Sequence, residues 1–592
     1  VTAEILSTHP AAAEPAPRSH QEFDEAELAH LAEQAPLSGD ADRLCALGRL
    51  HLRQHNPTRA IERLDAALAL APDNADLLND RAIAALMLAD YDGAIDRFRH
   101  AIRCTPDNAR LHCNLGNAMR DAGRREDALP HFARALELDP RMLDAVLANA
   151  ELLEQLGRPH DALVAYRDAR NIAPDDMRGL LGEGYALNAM KRHVDAEAMF
   201  RQAAQREPDN IHAVFGLALT LGSQLRFEDA LEVYGRALAL VPDNASVHNN
   251  VGFMLTCLAR YDEADEHLRR TIQLKPDMPD ANKVLGMSEL RRGHYRAGWA
   301  MYEFRKAGGE AGGYPALDIP EWQGEPLAGK RIVLNREQGA GDQFQFIRYA
   351  GVLRAMGATV DVWATEALAP LLARADGIDR AITEMPRDGY DYYCPVMSVP
   401  HRLADEAIPA RVPYLSADAA LAAIWRERFD RAAGQRRKVG IVWAGNPGHH
   451  LDRFRSIPLD RLLPLAELPG LAWFALQKGV ATRQLAECAD RWPITPLDAQ
   501  LDSFVATAAA IEALDLVVTV DTSVAHLAGA LGKPVWIMLP AQADWRWMIG
   551  RVDNPWYPSA RLFRQHTLGD WSPVVDELRA ALAALGAGDS VS

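Results

Sequence analysis

Several features are scarce in this chain. Cysteine occurs six times in 592 residues, at Cys45, Cys104, Cys113, Cys257, Cys394 and Cys488, with no C-x-x-C pairing and no regular spacing. That excludes a disulfide framework or a zinc ribbon, and the thiols read as reduced and mostly buried. Positive charge is in deficit: 64 Lys and Arg against 81 Asp and Glu leave a formal net charge of −17. Nucleic acids and anionic membranes both select basic surfaces, so neither is expected as the main partner. No apolar run approaches the roughly 20 residues a spanning helix needs, so no membrane insertion is expected. The start of the chain lacks a basic segment followed by an apolar core, the pattern of a secretory signal. Residues 1 to 38 instead read as a disordered acidic lead-in; residues 1 to 40 hold eight Asp or Glu against a single Arg. A cytoplasmic protein is expected.

What is present is periodic. Pro72, Pro106, Pro140, Pro174, Pro208, Pro242 and Pro276 follow one another at 34-residue intervals. A small residue lies 24 before each (Gly48, Ala82, Gly116, Ala150, Gly184, Ala218, Gly252) and an alanine 12 before (Ala60, Ala94, Ala128, Ala162, Ala196, Ala230, Ala264). Eight before stands a bulky apolar residue: Leu64, Phe98, Phe132, Tyr166, Phe200, Tyr234 or Leu268. Small residues let two helices approach, and proline ends the second because it cannot continue the hydrogen-bond ladder. Residues 39 to 308 therefore resemble tetratricopeptide (TPR) repeats, seven clear units and a weaker eighth marked by Gly286, Gly298 and Tyr302. The resemblance implies an all-α solenoid with a concave protein-binding groove, and by itself no catalysis. Asn79, Asn117, Tyr185, Phe215, Asn249 and Phe253 fall at inward-facing positions, where amides could bond an extended peptide and aromatics could anchor it.

The register stops at the glycine-rich linker 309–327. Beyond it apolar strands and helices alternate. Strands are expected at Arg331–Asn335, Thr359–Ala364, Lys438–Ala444, Leu471–Leu476, Leu514–Val520 and Pro534–Leu539, with helices over 343–356 and near 366–375. Two groups of this kind, 328–415 and 416–592, imply two Rossmann-like, doubly wound halves, the layout of GT-B glycosyltransferases.

Two strand-to-helix turns carry a finer resemblance: Gln338-Gly339-Ala340-Gly341-Asp342, and Asp521-Thr522-Ser523-Val524-Ala525-His526. Together they resemble the ADP-heptose:lipopolysaccharide heptosyltransferase family, and the layout resembles TPR-fused bacterial flagellin glycosyltransferases. The resemblance implies an inverting, metal-independent transferase with no cofactor, for which the nucleotide sugar is a substrate. Asp342 would be the general base, on the acceptor side, with helix capping as its alternative or additional role. Asp521, Thr522, Ser523 and His526 would meet the donor phosphate at a helix N-terminus, on the nucleotide side. Gln477 and Lys478, and the phosphate-clamping candidates Arg453 and Arg455, would add donor contacts, although Lys478 could equally be a surface lysine. Gly339, Gly341, Gly445, Asn446 and His449 would line the cleft. TPR-fused relatives have asparagine where this chain has Leu451. His449 and His450 read as exposed loop or acceptor contacts, since no carboxylate–histidine spacing accompanies them.

Three apparent motifs are decoys. Gly324–Lys330 resembles a phosphate loop, but Arg331 replaces its Ser or Thr, and it precedes a strand rather than following one. Gly339-Ala340-Gly341 lacks the third glycine of a dinucleotide fingerprint, and Asp90-Tyr91-Asp92 falls in an inter-helix turn. The fused repeats point to a protein acceptor, flagellin Ser or Thr among the candidates. ADP-heptose, a UDP-sugar and a CMP-nonulosonate remain open as donors. An adaptor with an inactive transferase half and a heptosyltransferase acting on a glycan are the competing expectations.

Overall fold

The structure is a computed structural model, and it describes residues 41–307, 317–404, 407–449 and 451–586. The acidic lead-in, residues 309–316 of the linker and His450 lie outside them. Two compact units divide within the helix Ala245–Cys257, the first reaching Val247 and the second beginning at His248.

The first unit consists of antiparallel helix pairs, from Ala41–Arg53 and Pro57–Leu70 through Ile211–Ser223 and Phe227–Leu240. Each second helix stops two residues before its proline, at Leu70, Cys104, Leu138, Ile172, Arg206 and Leu240. The asparagine two residues after the proline then caps the next helix. Asn74, Asn108 and Asn210 each accept two backbone N–H groups, from Asp76 and Leu77, Arg110 and Leu111, and His212 and Ala213. The bulky register residue seats on small residues of its own repeat and of the next. A Cβ built at Gly184 would lie 2.8 Å from the Phe200 ring, and one at Gly216 only 2.2 Å. Phe98, Phe132, Phe200 and Tyr234 are fully buried.

The second unit carries two parallel sheets. The first contains β1 (Arg331–Asn335), β2 (Thr359–Trp363), β3 (Arg380–Ile382) and β4 (Tyr392–Pro395), in the order β3-β2-β1-β4. The other contains β5 (Arg437–Val442), β6 (Leu471–Ala475), β7 (Ile494–Pro496), β8 (Leu516–Val520), β9 (Val535–Leu539) and β10 (Ala560–Arg564), in the order β10-β9-β8-β5-β6-β7. Counted from its own first strand, the second sheet runs 3-2-1-4-5-6, the doubly wound order, and the first sheet runs 3-2-1-4. The central strands are buried on both faces, so they read as unbroken apolar runs such as Leu-Val-Val-Thr-Val at β8. Four strands escaped the sequence reading. β3 and β7 are only three residues long, while β4 and β7 end in proline, which a sheet margin tolerates. The fourth, β10, begins Ala-Arg and lies at the edge. The helix expected over 343–356 is two helices, Ala340–Phe346 and Tyr349–Ala355, and the one near 366–375 is the short Ala369–Leu372.

The last helix pairs belong to this second unit, whereas the sequence placed the boundary at residue 308. The reason is aromatic packing. Trp299 sets its ring edge-on to Trp545 (centroids 5.4 Å apart), Phe346 (5.7 Å) and Trp556 (6.2 Å). Arg305 makes a buried, two-pronged pair with Glu337, just past β1, at 2.9–3.1 Å. Glu337 in turn accepts the Met397 N–H at 2.7 Å from beyond β4.

Trp299→Ala should therefore cost the second unit about 3–5 kcal/mol, the range for emptying a buried aromatic site. Denaturant unfolding of the full chain reads this, and a loss below about 1 kcal/mol would mean that the helix Tyr295–Tyr302 is not part of that core.

Candidate functional site

In doubly wound sheets, ligands lie beyond the carboxyl ends of the strands where the order reverses. In the second sheet that point falls between β5 and β8. The turn after β5 runs from Trp443 to Asn446, and the turn after β8 is Asp521-Thr522-Ser523, opening the helix Ser523–Ala530. Arg455 ties the two together: its Nη1 donates to the Asp521 carbonyl at 3.2 Å and its Nε to Asp452 at 3.0 Å. Gly445 is needed for that closeness, because a Cβ there would sit 2.5 Å from Asp452 Oδ1 and 2.6 Å from Arg455 Nη2. Ser523 and Val524, which open the helix Ser523–Ala530, are half-exposed, while the Ala525 N–H closes back on the Thr522 carbonyl at 3.0 Å.

Across from it stands the Asp342 turn. Gly339 is the N-cap of the helix Ala340–Phe346, so the helix starts three residues earlier than expected. Asp342 is therefore its third residue, reaching back to accept the Gly339 N–H at 2.8 Å. Gln338, just before, holds a left-handed φ of +49°, a conformation that costs a non-glycine residue about 1 kcal/mol or more. Its side chain donates to Tyr302 OH at 3.2 Å, from the last repeat helix. Gly341 approaches the other turn so nearly that an added Cβ would lie 2.7 Å from His526 Cδ2.

One buried guanidinium joins these parts. Arg546, 6% exposed, pairs with Asp342 and with Asp544 (2.8 Å), and donates to Gln345 Oε1 (2.7 Å). Burial pushes the Asp342 carboxyl up from its usual value against the pull of Arg546. Asp544 goes the other way: burial opposes ionisation, but Arg546 prevails and holds it below the usual range. Burial, then the Asp544 charge, pushes Asp521 up to about 6. Arg546 fills the space between Asp342 and Asp544, so these carboxylates form no open cation site.

Several residues expected to meet a ligand are engaged by partners within the protein. His526, stacked on Trp547 (5.0 Å) and bonded through Nδ1 to Tyr557 OH (2.9 Å), is pushed by burial down to about 3. It is thus a neutral, buried support rather than a cation for phosphate. Gln477 spends its amide on the loop after β5, accepting from Trp443 and Ala444 N–H and donating to Ala444 and Lys478 carbonyls. Thr519 gives its only hydroxyl hydrogen to the Val520 carbonyl, so in the 3.1 Å contact with Thr522 the Thr522 hydroxyl donates and has no hydrogen left for a ligand. Lys478 is exposed and donates to the Asp498 carbonyl at 2.6 Å. Arg453 is exposed and lies over the Phe454 ring. Asn446 and His449 shape their own loop, accepting the N–H groups of Gly448 and Leu451. Residues the sequence reading did not assign are Asp544, Gln345 and Tyr557. No motif marks them.

In the first unit a groove of about 1170 Å³ is lined by Asn114, Asn117, Arg120, Asp144, Glu151 and Arg178 among others. Asn117 borders it, and Asn79 accepts from Asn114 at 2.8 Å. Tyr185 is half-buried with its hydroxyl on the His212 carbonyl. Phe215, 4% exposed and edge-on to Tyr234, is core rather than groove. In the second unit Asn249 is also buried, and Phe253 half-buried.

Comparison with known proteins supports the repeat part. Tetratricopeptide repeat families match residues 45–109, 119–183 and 187–250. Protein FlbA of Caulobacter vibrioides is 29% identical over 326 residues, covering 50% of this chain and 53% of FlbA, so the chain spans about half the length of that curated relative. Among solved structures, a tetratricopeptide repeat protein from Parabacteroides merdae aligns with 42% of this chain and 98% of its own at 15% identity and a TM-score of 0.37. YrrB, a TPR protein with an unusual peptide-binding site, aligns with 31% of this chain and 95% of its own at 20% identity and a TM-score of 0.26.

Two opposed pH terms arise in the site. Folded, Asp521 keeps its proton up to about pH 6, but unfolded only to about pH 4, so between these values its contribution to stability falls as pH rises. His526 stays neutral in the fold down to about pH 3, while an unfolded histidine protonates below about pH 6.5, so its contribution rises with pH over the same window. Removing one term uncovers the other. Between about pH 4 and 6, Asp521→Asn should steepen the rise of stability with pH by up to about 1.4 kcal/mol per unit, and His526→Gln should tilt it the opposite way. Urea unfolding at stepped pH reads the slopes, and wild-type and Asp521→Asn profiles that run parallel would contradict the account.

Proposed function

We propose that the chain is a cytoplasmic bacterial protein O-glycosyltransferase of GT-B type. It would transfer a sugar from a nucleotide donor, with inversion and without a metal, to Ser or Thr of a protein held by the repeats. Flagellin is a candidate acceptor. One observation carries the reading: the carboxyl-end turns of two doubly wound sheets converge, Asp342 from one and Asp521-Thr522-Ser523 from the other, around Arg546. Such a crevice suits a donor whose leaving phosphate gains negative charge. The helix N-terminus at Ser523 supplies amides and the positive dipole end, and Arg455 supplies a nearby cation. Asp342 would take the acceptor proton once substrate draws it from Arg546.

The competing reading, an adaptor whose α/β half no longer transfers sugar, draws on that same pair, because a carboxylate oxygen engaged by a buried arginine is not free to meet an acceptor hydroxyl. Intact mass of candidate acceptors distinguishes the two, measured with purified chain and ADP-heptose, UDP-sugars or a CMP-nonulosonate. Transfer should add the mass of one donor sugar, survive EDTA, and fall by about two to four orders of magnitude in Asp342→Asn while nucleotide binding and folding persist. Absence of transfer with every donor would favour the adaptor. Loss in EDTA with recovery on adding Mg2+ would refute the metal-free mechanism.

A further inference from the structure

The repeat register makes one site in the first unit stand out. In the third repeat Arg134, on the second helix, pairs through Nη2 with Asp107, the aspartate after the preceding repeat's proline, at 2.9 Å. One repeat earlier, 34 residues back, the aspartate is Asp73 but the arginine's place is taken by His100. His100 Nε2 lies 2.9 Å from Asp73 Oδ1. Four residues on, where other repeats have Leu70, Leu138, Ile172, Arg206, Leu240 or Leu274, stands Cys104. In the helix Tyr91–Cys104 a spacing of four sets His100 and Cys104 on one face, one turn apart. A nitrogen, a sulfur and an oxygen from the three residues all lie within 4.8 Å of one another.

We propose that Asp73, His100 and Cys104 form a binding site for a borderline divalent transition ion such as Zn2+. An imidazole and a thiol select such an ion over Mg2+ or Ca2+, which prefer all-oxygen shells. A tetrahedral ion with bonds of about 2.0–2.3 Å holds its ligand atoms about 3.4–3.8 Å apart. Little movement is needed to reach that spacing: the Asp73 side chain is 79% exposed and free to turn, while His100 is 29% exposed and fixed on its helix. Thiolate and carboxylate together balance the ion's two charges, and water completes the fourth position. The ion would staple the turn after the helix Pro57–Leu70 to the next repeat, in place of the pair Arg134–Asp107 that does so one repeat later.

Cobalt(II) tests this on the intact chain, because a thiolate ligand gives it an intense charge-transfer absorption. The variants His100→Arg and Cys104→Leu install residues that other repeats carry at these positions, Arg134 and Leu138 among them, so both should fold. The wild type should show the thiolate–cobalt band, saturating at one ion per chain and displaced by Zn2+, and both variants should lose it. Zn2+ should also raise the unfolding temperature of the wild type and leave that of the variants unchanged. Absence of the band, its survival undiminished in either variant, or an equal Zn2+ stabilisation of all three proteins would overturn the proposal.

Discussion

A guanidinium in a protein interior loses its hydration and must be met by anions or acceptors, or it is strongly destabilising. Arg546 is met on every side: Asp342 and Gln345 come from the first sheet's turn and helix, and Asp544 from its own loop, while Asn554 takes its carbonyl. The same demand fixes the crevice. Asp342 can reach Arg546 only if the helix begins at Ala340, and Gly341 must then lie against His526. His526 in turn needs Trp547 and Tyr557 around it. Changing one member of this set moves the others, so the turn proposed for acceptor chemistry and the turn proposed for the donor phosphate are mechanically one object.

The last repeat helices belong to that object as well. Tyr302 holds the strained Gln338, Arg305 neutralises Glu337 at the point where the first sheet reverses, and Trp299 fills the space between Phe346 and Trp545. Repeat helices and α/β core thus share a hydrophobic interior through Leu290, Trp299 and Tyr302. A disturbance of the helix Tyr295–Tyr302 would reach the Asp342 turn through two side chains, Tyr302 and Gln338.

Legibility followed the range of the interactions involved. The repeat helices were readable because their signals are local and recur: proline stops, asparagine caps, and Phe200 facing Gly184 at a constant offset. β1, β6, β8 and β9 were readable as buried apolar runs, while β3, β7 and β10 were too short or too polar at the sheet margins to announce themselves. Asp342 and Asp521 were singled out from their turns alone. What no local pattern could supply was partnership: that Gln477 is spent on backbone, that Thr522 gives its hydrogen to Thr519, or that Phe215 turns toward Tyr234. Each depends on a residue brought near by the fold, as does the pairing of Asp342 with Arg546 across 204 positions.

The most direct test of the central claim is a crystal structure of the chain soaked in turn with UDP, ADP and CMP. The account predicts the phosphate of the nucleotide that binds in the crevice between the turn after β5 and the turn after β8, at the amides of Ser523 and Val524 and within reach of Arg455. Nucleotide bound away from the helix Ser523–Ala530, or no nucleotide at this crevice at saturating concentration, would contradict it.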